Sequence, residues 1–154
     1  MGFSQRIAFF CSMLFVGLML GPALAHLFSL PNKLPLDRED YFVTQAIYSG
    51  WQFIGVAVVG ALASLLWLAV ALRRQGPALL WILAALGCIV AAQAIFWAFT
   101  YPANVATANW TQIPDDWERL RDEWEYSHAV GAVLTLGALL SLAAVALRLI
   151  PRRS

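Results

Sequence analysis

Charge is scarce in this chain. Only 12% of its 154 residues are Asp, Glu, Lys or Arg, whereas 61% are hydrophobic and the mean hydropathy is +0.70. Soluble domains are about one-quarter charged and roughly 45–50% apolar. A chain this small with so few charges could not cover its apolar surface in water, and a disordered chain is excluded on the same grounds. The net charge of +1 lacks the basic surplus of a nucleic-acid binder. Cysteine is equally sparse. Cys11 and Cys88 are lone residues inside apolar runs, and no C-x-x-C occurs. Membrane thiol oxidases, which exchange disulfides through exterior cysteine pairs, are therefore excluded. Walker, Rossmann and G-x-S-x-G motifs are missing too, so nucleotide use and serine hydrolysis have no support. A polytopic membrane protein remains.

The sequence contains four apolar runs, at 7–30, 51–72, 77–100 and 129–150. Each has roughly the 20 residues that cross a bilayer as a helix. The nine acids all fall in 37–40 and 115–125, whereas Arg6, Arg73, Arg74, Arg148, Arg152 and Arg153 have no acid near them. By the positive-inside rule those arginines are cytoplasmic, giving N-in and C-in. Gly76-Pro77 supplies a tight hairpin between the second and third helices. The expected fold is all-α: a single-domain, integral-membrane four-helix bundle, up-down-up-down, with the first and fourth helices also in contact. Trp51, Trp81 and Trp97 fall near helix ends, as an aromatic belt requires.

The first run also reads as a signal peptide, with Gly21-Pro22 before an Ala23-Leu24-Ala25 cleavage pattern. Its continuation through Leu30 and the four-span charge agreement favour a retained helix. Gly17-x-x-x-Gly21 would then allow close helix packing. Leu30-Pro31-Asn32 and Tyr101-Pro102-Ala103-Asn104 end the first and third helices. Pro35-Leu36-Asp37 and Pro114-Asp115-Asp116 then place Asp37 and Asp115 as N-caps. Helices two and four are thus expected to begin outside the membrane and run continuously into it.

The polar exceptions gather at the outer level. His26 lies near the outer end of helix one, and His128 where helix four enters the apolar layer; Gln52, Gln93 and Thr100 share that depth. Polar groups in a span are expensive and by default point inward. Trp117, Arg121, Trp124 and His128 are spaced 4, 3 and 4 apart, on one helix face, with Glu125 beside them. Trp110 extends the aromatic set, as interfacial anchors or as the lining of a lipophilic pocket. Several chemistries fit. His26 and His128 could ligate haem b iron axially, with Arg121 or Lys33 meeting its propionates. His26, His128 and Glu125 form a ligand set for a single non-haem metal, and a lone Glu-x-x-His argues against a di-iron site. Without a cofactor, Glu125 would orient His128 as a general base. Two structural histidines are the remaining reading.

The stretch Ala25-His26-Leu27-Phe28-Ser29-Leu30-Pro31-Asn32-Lys33 and Tyr48-x-Gly50-Trp51 resembles the bacterial branch of an uncharacterised integral-membrane family that includes anthrone oxygenase-like proteins. Tyr101-Pro102-Ala103-Asn104, Asn109-Trp110, Trp117, Leu120-Arg121 and Trp124-Glu125-Tyr126-Ser127-His128 are similar to the same family. The likeness covers most of the chain and is most specific from Asn109 to His128. It implies a retained first helix and a site of His26, Asn104, Asn109, Trp110, Arg121, Trp124, Glu125 and His128. It implies oxygen-dependent oxidation of a planar aromatic for the fungal members, and a bacterial inner membrane for this branch.

The expected function is accordingly a membrane oxidoreductase or oxygenase-like protein acting on a lipophilic aromatic or quinone-like molecule near the outer leaflet. His128 and Glu125 would be catalytic, and Trp110, Trp117, Trp124, Asn104, Asn109 and Gln93 would line the substrate. A haem-binding electron-transfer or sensor protein, and a non-catalytic accessory subunit, are the alternatives. The lipid bilayer is the expected partner, nucleic acid is not, and a homo-oligomer stays open.

Overall fold

Among the described residues, four helices are long and apolar enough to cross a membrane: Phe3–Lys33, Trp51–Ala71, Gly76–Ala106 and Trp117–Arg148. These come from a computed structural model, which describes residues 2–149. Ile150, Arg152 and Arg153, the end of the fourth apolar run and its basic tail, lie outside the described residues. We label the α-helices α1 (Phe3–Lys33), α2 (Arg38–Gln45), α3 (Gly55–Ala71), α4 (Gly76–Ile95), α5 (Tyr101–Ala106) and α6 (Trp117–Leu149). No strand occurs among the described residues.

Only 22% to 33% of each span is buried inside the bundle. The outward faces are therefore apolar as well, which hydrocarbon requires and water would punish. α1 packs on α3 and α6, and α4 packs on α6 and α3. The buried seam pairs Leu65, Leu68 and Leu72 with Ile82, Ile89 and Leu142, filled in by small residues such as Ala8, Ala61, Ala85 and Ala138. Small side chains let helix axes approach where lipid supplies no hydrophobic drive between helices. Buried hydroxyls in this seam bond within their own helices: Ser12 to Ala8 O and Ser141 to Gly137 O, at 2.9 and 2.8 Å.

The close glycine contact lies elsewhere than expected. A Cβ at Gly17 or Gly21 would meet nothing within 4 Å, so the Gly17-x-x-x-Gly21 spacing is not a packing face. Gly60 takes that role instead: its Cβ would stand 2.6 Å from the Phe15 ring. Pro22 does not interrupt the first helix, and Pro31 lies in its last turn: α1 runs to Lys33, three residues past the expected end at Leu30. A membrane helix tolerates the carbonyls that such prolines release.

Helix two is interrupted rather than continuous. After α2 the chain makes two 3₁₀ turns, Ala46–Tyr48 and Trp51–Ile54, on either side of Gly50. Gly50 adopts φ 87°, a left-handed conformation that glycine enters without a Cβ clash and that stops a right-handed helix. The third span passes Pro102 through a π-helical stretch, Phe96–Thr100, into α5. Wider i→i+5 bonding there accommodates a proline that has no N–H to give to the preceding turn. The fourth helix is continuous over 33 residues. Its first bond runs from Leu120 N to Asp116 O, so Asp116, not Asp115, stands at its cap. Asp37 does cap α2, accepting from Asp40 N at 2.9 Å.

Candidate functional site

Two contacts set the ends of the bundle. Gln5 Nε2 donates to Ala71 O at 2.9 Å, joining the start of α1 to the end of α3. At the opposite end His26 of α1 meets Trp51, just before α3, and Trp124 and His128 of α6. Most of the buried polar residues lie at this second end.

The two imidazoles pack against each other. Their centroids lie 4.1 Å apart with planes tilted by 39°. Tyr48, 4.4 Å from His26, and Trp51 and Trp124, at 5.4 and 5.0 Å, close an aromatic box around His26. Only 6% of His26 is exposed, whereas His128 is half-buried. Gly50 turns left-handed between Tyr48 and Trp51, and both rings reach His26. His128 Nδ1 lies 2.8 Å from Trp124 O, one turn back. A carbonyl can only accept, so Nδ1 carries the proton and Nε2 keeps the lone pair.

Glu125 does not orient His128. Its Oε1 accepts from Lys33 Nζ at 2.8 Å and from Tyr41 OH at 2.9 Å. Lys33 also reaches Tyr48 OH at 3.1 Å and stands about 5 Å from the Tyr48 and Trp124 ring centroids. All three residues of this triad are buried. A carboxylate removed from water needs a counter-charge close by, and the ammonium of Lys33 supplies it better than a neutral imidazole would. Burial, and then the neighbouring Glu125 carboxylate, hold the Tyr41 phenol above its ordinary range.

A third group fixes the tryptophans. Asn104 Oδ1 accepts from Trp110 Nε1 at 3.0 Å and from Trp124 Nε1 at 2.9 Å. Trp110 reaches that position through backbone strain: Ala108, Asn109 and Trp110 have φ of 48°, 56° and 63°. Left-handed conformations cost L-residues roughly 1–2 kcal/mol each. Asn109 N bonds to Asn104 O at 2.7 Å, and Trp110 N to Thr107 Oγ1 at 3.0 Å, holding the turn. Nearby, Thr100 Oγ1 and Ser127 Oγ lie 2.6 Å apart and tie the π-helical stretch to α6.

Of the residues expected from sequence, His26, His128, Trp124, Glu125, Trp110 and Asn104 come together. Asn109 is exposed and contributes through its backbone. Trp117 packs on Tyr41 and Phe42, away from the imidazoles. Arg121 lies over Trp117 at 5.1 Å and bonds Asp122 at 3.0 Å, so it does not face the histidine pair. Gln93 is half-buried on α4, and Gln52 is exposed.

The arrangement does not fit an axial haem. With metal–nitrogen bonds of about 2 Å, two axial nitrogens stand about 4 Å apart and their ring centroids farther still. Rings with centroids at 4.1 Å leave no room for a macrocycle between them. The three-residue metal set is not assembled either, because Glu125 turns to Lys33 and Tyr41. No group of three His, Cys, Asp or Glu side chains suited to a metal occurs among the described residues.

Sequence reasoning missed Tyr41 and Gln45 and gave Lys33 a different role. The available signal was their spacing: Tyr41 and Gln45 are four apart on α2, so one face of a short polar helix turns inward. His26 Nδ1, Glu125 Oε2 and both amide atoms of Gln45 are buried with no hydrogen-bond partner among the described residues. Such atoms are rare in folded proteins and mark a functional or hydrated site. No family model, curated protein or solved structure matches this chain.

Proposed function

We propose that this chain is a multi-pass membrane oxidoreductase of the anthrone oxygenase-like kind, using its paired histidines as acid–base groups on a lipophilic aromatic or quinone-like molecule. One observation carries the reading. The Trp124 carbonyl fixes the His128 tautomer and presents Nε2 as a base beside a second, buried imidazole. His128 Nε2 removes a proton from an acidic ring methylene. The carbanion passes its electrons to dioxygen, a carbon–oxygen bond forms, and loss of water leaves the ketone. Atoms balance: the methylene and one dioxygen give the ketone and one water, the two methylene hydrogens leaving in that water. A positioned base contributes about 10²–10⁴ in rate. Trp51, half-buried beside His26, offers an aromatic face against which a planar ring stacks.

The bundle is taken as up-down-up-down with both termini cytoplasmic, in a bacterial inner membrane. The bare arginines Arg6, Arg73, Arg74 and Arg148 support that orientation, which puts the histidines at the outer leaflet. The family likeness of the Asn109 to His128 segment supports the chemistry.

The test is oxygen uptake and ketone absorbance with an anthrone as substrate, using protein purified in mild detergent. His128→Ala and His26→Ala are expected to lose at least about 100-fold in rate. Metal analysis and the visible spectrum of the same sample decide the cofactor. A Soret band abolished by both substitutions would overturn the cofactor-free reading. Full function of both variants in vivo would instead leave a non-catalytic accessory subunit.

A further inference from the structure

The end of the bundle away from the histidines holds a recess of about 320 Å³, lined by Gln5, Val70, Ala71, Arg73, Arg74 and Gln75. It forms where the Gln5 amide closes on Ala71 O and the chain turns from α3 into α4. The lining carries two guanidiniums and two carboxamides. Arg73 spends one N–H on Val70 O, at 3.2 Å. Neither Arg73 nor Arg74 has an ion-pair partner among the described residues. All nine acids lie in 37–40 and 115–125, so nothing nearby in sequence neutralises them, and Arg6 adds a further positive charge beside Gln5.

Val70 and Ala71 add apolar surface to the lining. Val70 is 59% exposed, and Trp67, one turn back on α3, is also exposed. Phe3, at the start of α1, is 81% exposed. Guanidinium forks match phosphate oxygens bidentately. Basic groups at a bilayer surface attract anionic headgroups, whereas zwitterionic ones give no net attraction. A free anion would have no use for the apolar wall that continues from Val70 along the helix; an acyl chain would.

We propose that this recess binds the phosphate headgroup of an anionic phospholipid, with its acyl chains against the exposed face of α3 and the start of α1. The proposal goes beyond the histidine site and does not depend on its chemistry.

The experiment uses the full chain in a neutral detergent, with native mass spectrometry and thermal unfolding as readouts. The probes are short-chain phosphatidylglycerol, short-chain phosphatidylcholine and inorganic phosphate. Phosphatidylglycerol is expected to be retained one per chain and to raise Tm, with binding that weakens as salt rises. R73Q/R74Q is expected to weaken it by about tenfold or more, and R73K/R74K, which keeps the charge, by less. The lysine variant separates loss of the site from loss of the fold. Equal retention of phosphatidylcholine would overturn the proposal, as would phosphatidylglycerol binding unchanged in R73Q/R74Q. An equal Tm rise with inorganic phosphate would make this a free-anion site and overturn it too. So would a protein that co-purifies in fixed ratio and is released by R73Q/R74Q while phosphatidylglycerol fails to bind.

Discussion

Lys33 and Glu125 meet at 2.8 Å with 4% and 0% of their side chains exposed. One lies at the end of α1 and the other in α6, and Tyr41 of α2 bonds the same carboxylate oxygen. One buried charge pair thus joins three elements around the histidines. Removing one partner of such a pair leaves an uncompensated buried charge, at about 3–5 kcal/mol. Lys33→Met is therefore expected to be strongly destabilised in detergent unfolding. The double variant Lys33→Met/Glu125→Met should recover most of the loss, since an apolar pair carries no unpaired charge. A Lys33→Met protein as stable as the parent would refute the pairing.

Asn104 serves two indoles with one oxygen. Asn104→Leu strands the N–H groups of Trp110 and Trp124, each costing about 1–3 kcal/mol when left unsatisfied. It also removes the contact that offsets the left-handed turn at 108–110. The expected result is lower stability and red-shifted tryptophan emission as water reaches Trp110. Asn104→Asp, which keeps the acceptor, should stay closer to the parent in both measurements.

How much of this was legible in the sequence follows from which signals are local. The four spans were readable because hydropathy over 20 residues is a strong signal, His26 because it interrupts an apolar run, and His128 because it stands at the entry to another at the same depth. The partner of Glu125 was not readable. The i,i+3 spacing to His128 suggested a contact that the local helix does not make, while Lys33 reaches Glu125 across two helices, which no spacing encodes. Gly50 was visible as a residue, but its positive φ, and hence the turn of Tyr48 and Trp51 toward His26, depends on tertiary packing. The π-helical stretch before Pro102 was likewise hidden, because the Thr100–Ser127 contact that accompanies it lies between helices. Pro31 marked the end of α1 only to within a turn, because a bilayer helix can carry a proline in its last turn.

The glycines of the first and second spans separate two packing schemes. Gly60→Ala sets a Cβ about where the Phe15 ring lies, 2.6 Å away. Overpacking of this kind costs about 1–3 kcal/mol, so a lower unfolding midpoint is expected. Gly17→Ala and Gly21→Ala meet open space and should be neutral or slightly stabilising, since alanine favours the helix by up to about 1 kcal/mol. Strong destabilisation by Gly17→Ala alone would restore the glycine-spaced packing face that α1 lacks here.

Tyr41 makes stability depend on pH at the alkaline end. Burial first, and then the Glu125 charge and hydrogen bond, raise its phenol above the ordinary value of 10.0. The folded state therefore keeps a proton that the unfolded state releases above about pH 10. Stability from this group is complete below that pH and falls as pH rises further, by up to about 1.4 kcal/mol per unit. Tyr41→Phe cannot ionise and also gives up the bond to Glu125, so it should begin less stable near neutrality. Between pH 10 and 11 its stability should then decline less steeply than that of the parent. Parallel declines in the two proteins, measured by chemical unfolding in detergent, would mean that the Tyr41 phenol titrates as freely in the folded chain as in the unfolded one.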